Sequence, residues 1–197
     1  MGIDPISWEV LENIDRVRRL QGATLDALGF GSLETSYETV FSQPGVTLRR
    51  YGSRDSAGPL LLMIPAPIKR PYIFDLAPEV SVVRRCLDQG ARVFLVEWQP
   101  AAPDFGLAEF ADRLLLASLE AAGEEPPILI AHSLGGLLAA VFAALHPDRI
   151  RALVLLAAPL HFAPEASIFR ELVSDRELAG LPGFLPGSFL SLASVRA

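Results

Sequence analysis

Between residues 60 and 157, short apolar runs alternate with helical stretches, and this alternation limits the fold more than any other feature of the chain. Leu60–Ile64, Val93–Val96, Ile128–Ile130 and Leu153–Ala157 read as strands that are apolar on both faces. Val80–Leu87, Leu107–Ala122 and Leu137–Leu145 read as helices between them, ended by Gln89-Gly90, Gly123 and His146-Pro147. Strands buried on both faces and separated by helices imply an α/β fold: a mostly parallel sheet with helices on both sides. The right-handed crossover rule then fixes the path of each strand–helix–strand unit. Two shorter strands, Thr39–Phe41 and Thr47–Tyr51, flank the turn Gln43-Pro44-Gly45.

Outside that array the pattern changes, which divides the chain into residues 1–36, 37–160 and 161–197. The first part holds an amphipathic helix over Ser7–Leu28, with Ser7 as its cap and Glu9 and Glu12 near its positive end. Its apolar stripe (Val10, Ile14, Val17, Leu20, Leu25) suits packing on the domain. The last part has a loop, a weak helix near Ile168–Leu172 and a Gly/Pro-rich stretch, Gly180–Gly187. With 197 residues the chain can bury a real core. A net charge of −6 and scattered basic residues give no footprint for nucleic acid. The single cysteine, Cys86, excludes an internal disulfide and fits a reduced, cytoplasmic setting. The first residues have no basic and apolar regions of a secretory signal, and the longest apolar runs are too short to span a bilayer.

Chemistry concentrates in Ile128-Leu-Ile-Ala-His-Ser133-Leu-Gly-Gly136, which reads as strand, tight turn and helix. That context is required of a nucleophile elbow, where a strained turn lifts a serine Oγ clear of the sheet edge. The residues two before and two after must be small because backbones converge there. Here they are Ala131 and Gly135, with alanine where glycine is more usual. A helix starting near Leu134 aims free N–H groups and its dipole at the serine. Leu134 N–H is therefore the first candidate oxyanion donor. The second is expected from Pro65-Ala66-Pro67-Ile68-Lys69, after the Leu60–Ile64 strand. Pro67 has no N–H to give, which leaves Ala66 or Ile68, with Ile68 preferred.

A serine nucleophile needs a base, and the chain has three histidines. His132 adjoins Ser133 and should point elsewhere, with a local hydrogen bond as its role. His146 ends the helix that runs away from the elbow, beside Asp148. His161 follows the Leu153–Ala157 strand and so belongs to the same sheet edge as Ser133. The base is therefore His161 or is missing from this chain, since an acid and then a later histidine usually follow the serine. No further strand ending in Asp or His is evident after Ser133, so the last strands of such a fold are not apparent. A parallel sheet that stops early leaves an apolar edge, and self-association or a partner chain is expected there.

Residues Pro59–Phe162 resemble the catalytic domain of polyhydroxyalkanoate synthases and their α/β-hydrolase relatives. The resemblance is carried by Lys69-Arg70-Pro71-Tyr72, Asp75-Leu76, Ser81-Val82-Val83-Arg84-Arg85, Val93-Phe94-Leu95-Val96-Glu97-Trp98, Ser133-Leu134-Gly135-Gly136 and Ala144-Leu145-His146-Pro147. It implies an α/β-hydrolase core without its last strands and an acyl group carried on the elbow residue. It also implies that 161–197 is the start of a cap or C-terminal region. Synthases of this family have cysteine at the elbow, whereas this chain has Ser133; Cys86 lies mid-helix and cannot substitute. The implied substrates are an acyl ester, an acyl-CoA-like thioester or a polyester, with no cofactor and no metal. The alternative reading is a catalytically incomplete homologue that binds a surface or a partner.

Overall fold

The computed structural model describes residues 33–67, 71–99 and 105–161, with scattered positions between 13 and 28. The chain forms two compact units, one of residues 32–160 and one of residues 1–31 with 161–197. In the second unit, the described positions from Asn13 to Ala27 are helical. Thr24 Oγ1 donates to Leu20 O at 2.8 Å, and Leu28 N–H to Thr24 O at 3.0 Å. Val17 and Leu20 of the expected stripe are exposed, and Val10, Ile14 and Leu25 lie outside the described residues.

The larger unit is built on a six-stranded sheet. Its strands are β1 (Tyr37–Gln43), β2 (Val46–Tyr51), β3 (Leu60–Ile64), β6 (Arg92–Trp98), β7 (Ile128–His132) and β8 (Ala152–Leu156). A small hairpin, β4 (Asp75–Ala77) and β5 (Val80–Ser81), stands apart. The order in the large sheet is β1-β2-β6-β3-β7-β8. β3, β6, β7 and β8 run parallel, and β1 and β2 add an antiparallel hairpin at one side. The helices are α1 (Val82–Asp88), α2 (Leu114–Ala122) and α3 (Leu134–Leu145). The chain leaves β3 through α1 to reach β6, and leaves β7 through α3 to reach β8, in opposite directions along the sheet. Such a reversal opens a crevice at the carboxyl ends of the two strands. Ser133 and the Pro65-Ala66-Pro67 segment both sit at that point.

Each sheet face has its own core. Leu114, Leu115, Leu119, Leu138, Ala139 and Phe142 from α2 and α3 pack on one face, against Leu48, Leu60, Leu62, Val96 and Leu129. Full burial contributes roughly 1.5–3 kcal/mol for each large side chain. That exceeds the contribution of any one cap or propensity term, so packing sets the axes of these helices. On the other face Val83 of α1 joins Leu61, Met63, Phe74, Val93 and Leu95.

Three local features differ from the expected pattern. Val80 opens β5 rather than a helix, because Ser81 caps α1 by accepting from Arg84 N–H at 2.9 Å. Ahead of α2, residues Glu109–Arg113 form a π-helical turn. In β8, Ala152, Val154 and Leu156 are exposed, while Leu153 and Leu155 pack on the α2–α3 side. The strand is thus covered on one face only, and among the described residues it is the last of the sheet. The opposite edge, β1, carries a bulge between Thr39 and Phe41 and the ion pair of Glu38 with Arg50. Bulges and charges protect edges from pairing with other chains, and β8 has neither.

Candidate active site

Ser133 joins β7 to α3 with φ +54° and ψ −127°, a backbone conformation rare for a residue with a side chain. Holding it costs on the order of 1–3 kcal/mol, which the surroundings must offset. Two backbone bonds pin the turn: Ser133 N–H donates to Leu156 O at 2.9 Å, and Gly136 N–H to Ser133 O at 2.8 Å. The serine is half-buried at the head of α3, and among the described residues no side chain caps that helix. The first N–H groups of a helix lack partners within it, so α3 directs free donors and its positive end to this point.

The glycines after Ser133 are set by close approach. A Cβ on Gly135 would meet Ile64 O, and Pro65 O at 2.5 Å. One on Gly136 would lie 2.5 Å from Ala158 Cβ. The first turn of α3 therefore rests on the end of β3 and on the segment after β8. α3 begins at Leu134, as the reading of the elbow expects. Ala131 is fully buried, so its methyl is accommodated where glycine is more usual.

The loop after β3 lies beside the serine by strand register. Ile64 pairs with Ala131 across β3 and β7, so Ala66 and Ser133, each two residues further on, follow the same end of the sheet. Ala66 is fully buried. Trp98 at the end of β6 donates its indole N–H to Pro65 O at 2.7 Å. Ile68 lies outside the described residues.

The histidines divide. The His132 ring meets Phe74 edge-on, with ring centres 6.4 Å apart. Its Nδ1 is buried without a hydrogen-bond partner among the described residues, so the expected local hydrogen bond is not made there. His146 Nε2 lies 2.6 Å from Asp112 Oδ1, and its ring packs on Phe142. Its acidic neighbour is thus Asp112 rather than Asp148. His161 is exposed and begins the second part of the other compact unit. Cys86 is half-buried in α1, and burial pushes its thiol pKa up, so it is no activated thiolate. Trp98 and Asp75 entered the sequence reading only through the family resemblance; a Trp at a strand end and an Asp before a turn gave no signal of their contacts.

Comparison with known proteins agrees with this geometry. The α/β hydrolase fold family matches residues 78–191. The poly(3-hydroxyalkanoate) polymerase subunit PhaC of Haloferax mediterranei is 28% identical, over 94% of this chain and 41% of that protein. Its counterpart from Allochromatium vinosum is 27% identical, over 91% of this chain and 56% of that protein. The chain thus spans about half the length of the curated relatives it matches. Among solved structures, the thioesterase domain from a curacin biosynthetic pathway superposes with a TM-score of 0.56 at 22% identity, covering 75% of this chain and 53% of that one. Naproxen esterase from Bacillus subtilis gives 0.56 at 18% identity, covering 81% and 55%. No helix among the described residues is long and apolar enough to cross a membrane. With the elbow and the sheet order in place, the chain belongs to the α/β-hydrolase fold family, as a serine-type member similar to the polyhydroxyalkanoate polymerases.

Proposed function

We propose that this chain forms an acyl-enzyme on Ser133 from a hydroxyacyl thioester or ester and passes the acyl group to water or to another hydroxyl. The observation that carries this reading is the positive φ of Ser133 on a strand-to-helix turn, a strain of the kind that gathers at active sites. In the first step Ser133 Oγ bonds to the acyl carbon, and its proton passes to a base. Negative charge develops on the carbonyl oxygen and is held by Leu134 N–H and by the amide of Ala66 or Ile68. The bond to the leaving thiol or alcohol then breaks, and that group takes the proton. In the second step water or a hydroxyl attacks the serine ester and restores Ser133. His161 is the proposed base, on its position after β8 in the sequence. The similarity to polymerases supports a polyester or hydroxyacyl substrate, and the lone, half-buried Cys86 is consistent with a cytoplasmic setting.

The test is labelling with a fluorophosphonate probe, mapped by mass spectrometry. Modification at Ser133 that disappears in Ser133→Ala is expected, and His161→Ala should slow it about 100-fold or more if His161 is the base. A folded chain that takes no label at Ser133 rejects the reading.

Self-association through β8 belongs to the same proposal, since this edge has an apolar face and no protecting charge. Val154→Lys at its centre is expected to convert a dimer or larger species to monomer by light scattering. A wild-type chain that is monomeric at high concentration removes this part.

A further inference from the structure

We infer that Trp98 is a positioning residue for acyl transfer, and that its indole sets the Ala66 amide as the second oxyanion donor. This rests on the assignment of Ser133 as nucleophile. In a planar trans peptide the C=O and N–H point in opposite directions. The carbonyl of the Pro65–Ala66 peptide accepts from Trp98 Nε1 at 2.7 Å. The same oxygen faces Gly135, where a Cβ would lie 2.5 Å away. Trp98 packs with the α2–α3 core, so this carbonyl is held toward the packed face of the sheet. The Ala66 N–H therefore points away from that face, at the end of the sheet where Ile64 pairs with Ala131, two residues before Ser133.

Rotation of this peptide by half a turn would exchange the two groups. A carbonyl oxygen would then face the developing oxyanion, and like charges repel. The hydrogen bond from Trp98 holds the productive orientation in the free protein. The indole is itself fixed: its ring meets Phe110 at 5.4 Å, nearly edge-on, and Trp98 pairs with Val46 in the sheet. Phe110 lies in the π-helical turn before α2, so that local irregularity serves to seat Trp98. Pro65 adds rigidity through its fixed φ, and Pro67 has no N–H to compete with Ala66.

The test uses Trp98→Phe in the full chain, which keeps a ring against Phe110 and removes the donor. In hydrolysis of p-nitrophenyl acetate, kcat is expected to fall about tenfold or more with KM within about twofold, since losing one oxyanion donor outright costs about 100- to 1000-fold. An unchanged kcat in a variant that melts with the wild type overturns the inference. A wild type without Ser133-dependent turnover instead rejects the Ser133 assignment, and the positioning is then read by nuclear magnetic resonance. The Trp98 indole N–H is expected to exchange with water at least about tenfold more slowly than that of free tryptophan. The Ala66 amide nitrogen, which senses hydrogen bonding at the Pro65 carbonyl, is expected to shift in Trp98→Phe. Rapid indole exchange, or an unmoved Ala66 signal, overturns the inference whatever the activity. The exchange measurement uses the wild-type chain and so remains decisive if Trp98→Phe fails to fold.

Discussion

Replacing Gly135 with alanine is expected to destabilise this chain by about 3 kcal/mol, at the upper end of overpacking costs, and to abolish labelling of Ser133. The added methyl would meet Ile64 O, and Pro65 O at 2.5 Å. Both are backbone atoms at the end of β3, and β3 is paired on both sides. They cannot rotate away as a side chain would. Either α3 lifts off the sheet or the β3 end shifts, and each movement displaces the Pro65–Ala66 peptide from the serine. Alanine's better helix propensity offsets about 1 kcal/mol at most. Two other glycines grade the effect. Gly136→Ala meets the methyl of Ala158, in a segment after β8 rather than in a strand paired on both sides, and should cost less. Gly106→Ala has only an ordinary contact at 3.5 Å, to the end of the Glu109 side chain, and should change stability by about 0.5 kcal/mol or less. Thermal melting checks the order: Gly135→Ala should lower Tm by about 6–12 °C for a chain of this size. A Gly135→Ala chain that melts like Gly106→Ala and still labels would mean that the elbow does not depend on this contact.

The parts of the fold that could be read from the sequence are those whose signal is local. The run Leu60–Ile64 is fully buried and central in the sheet, as an apolar run between turn residues requires. The same is true of the strand before Ser133, since a buried strand, a small-residue turn and an Ala/Leu-rich helix are all contiguous. What escaped is set by contacts distant in sequence. Asp75 accepts from Thr35, 40 residues away, and Trp98 donates to Pro65, 33 residues away. No period or spacing announces such pairs. The exposure of Val154 and Leu156 also escaped, because an apolar run looks the same at the edge of a sheet as at its centre. The segment after β3 offers Ala66 and Ile68 as oxyanion donors, and of the two only Ala66 is among the described residues.

Asp75 carries the second large effect, and it connects the wall of the site to the stability of the domain. Its carboxylate is fully buried at the start of β4. It accepts from Thr35 N–H at 2.5 Å, from Thr35 Oγ1 at 2.9 Å and from Ser81 Oγ at 2.6 Å. Each hydroxyl has one proton, and both protons go to Asp75. Their lone pairs are thereby left to accept from Arg84, through Nε to Thr35 at 3.0 Å and through the backbone N–H to Ser81 at 2.9 Å. One carboxylate thus orients the cap of α1 and ties the segment before β1 to the hairpin, where Leu33 N–H also reaches Leu76 O. Phe74, its neighbour in the chain, packs against His132, the residue before Ser133. Asp75→Ala removes three hydrogen bonds to a charged group and leaves their buried donors unmatched, which should cost about 4 kcal/mol in urea unfolding. Ser81→Ala removes the cap and one of these bonds and should cost about 1–2 kcal/mol. If the carboxylate is what holds the Ser81 hydroxyl in its capping orientation, the two losses overlap. Ser81→Ala made in the Asp75→Ala background should then cost at least about 0.5 kcal/mol less than in the wild type. Strict additivity would mean that Ser81 caps α1 unaided. The slower labelling of Ser133 expected in Asp75→Ala would then have to come from displacement of Phe74 alone.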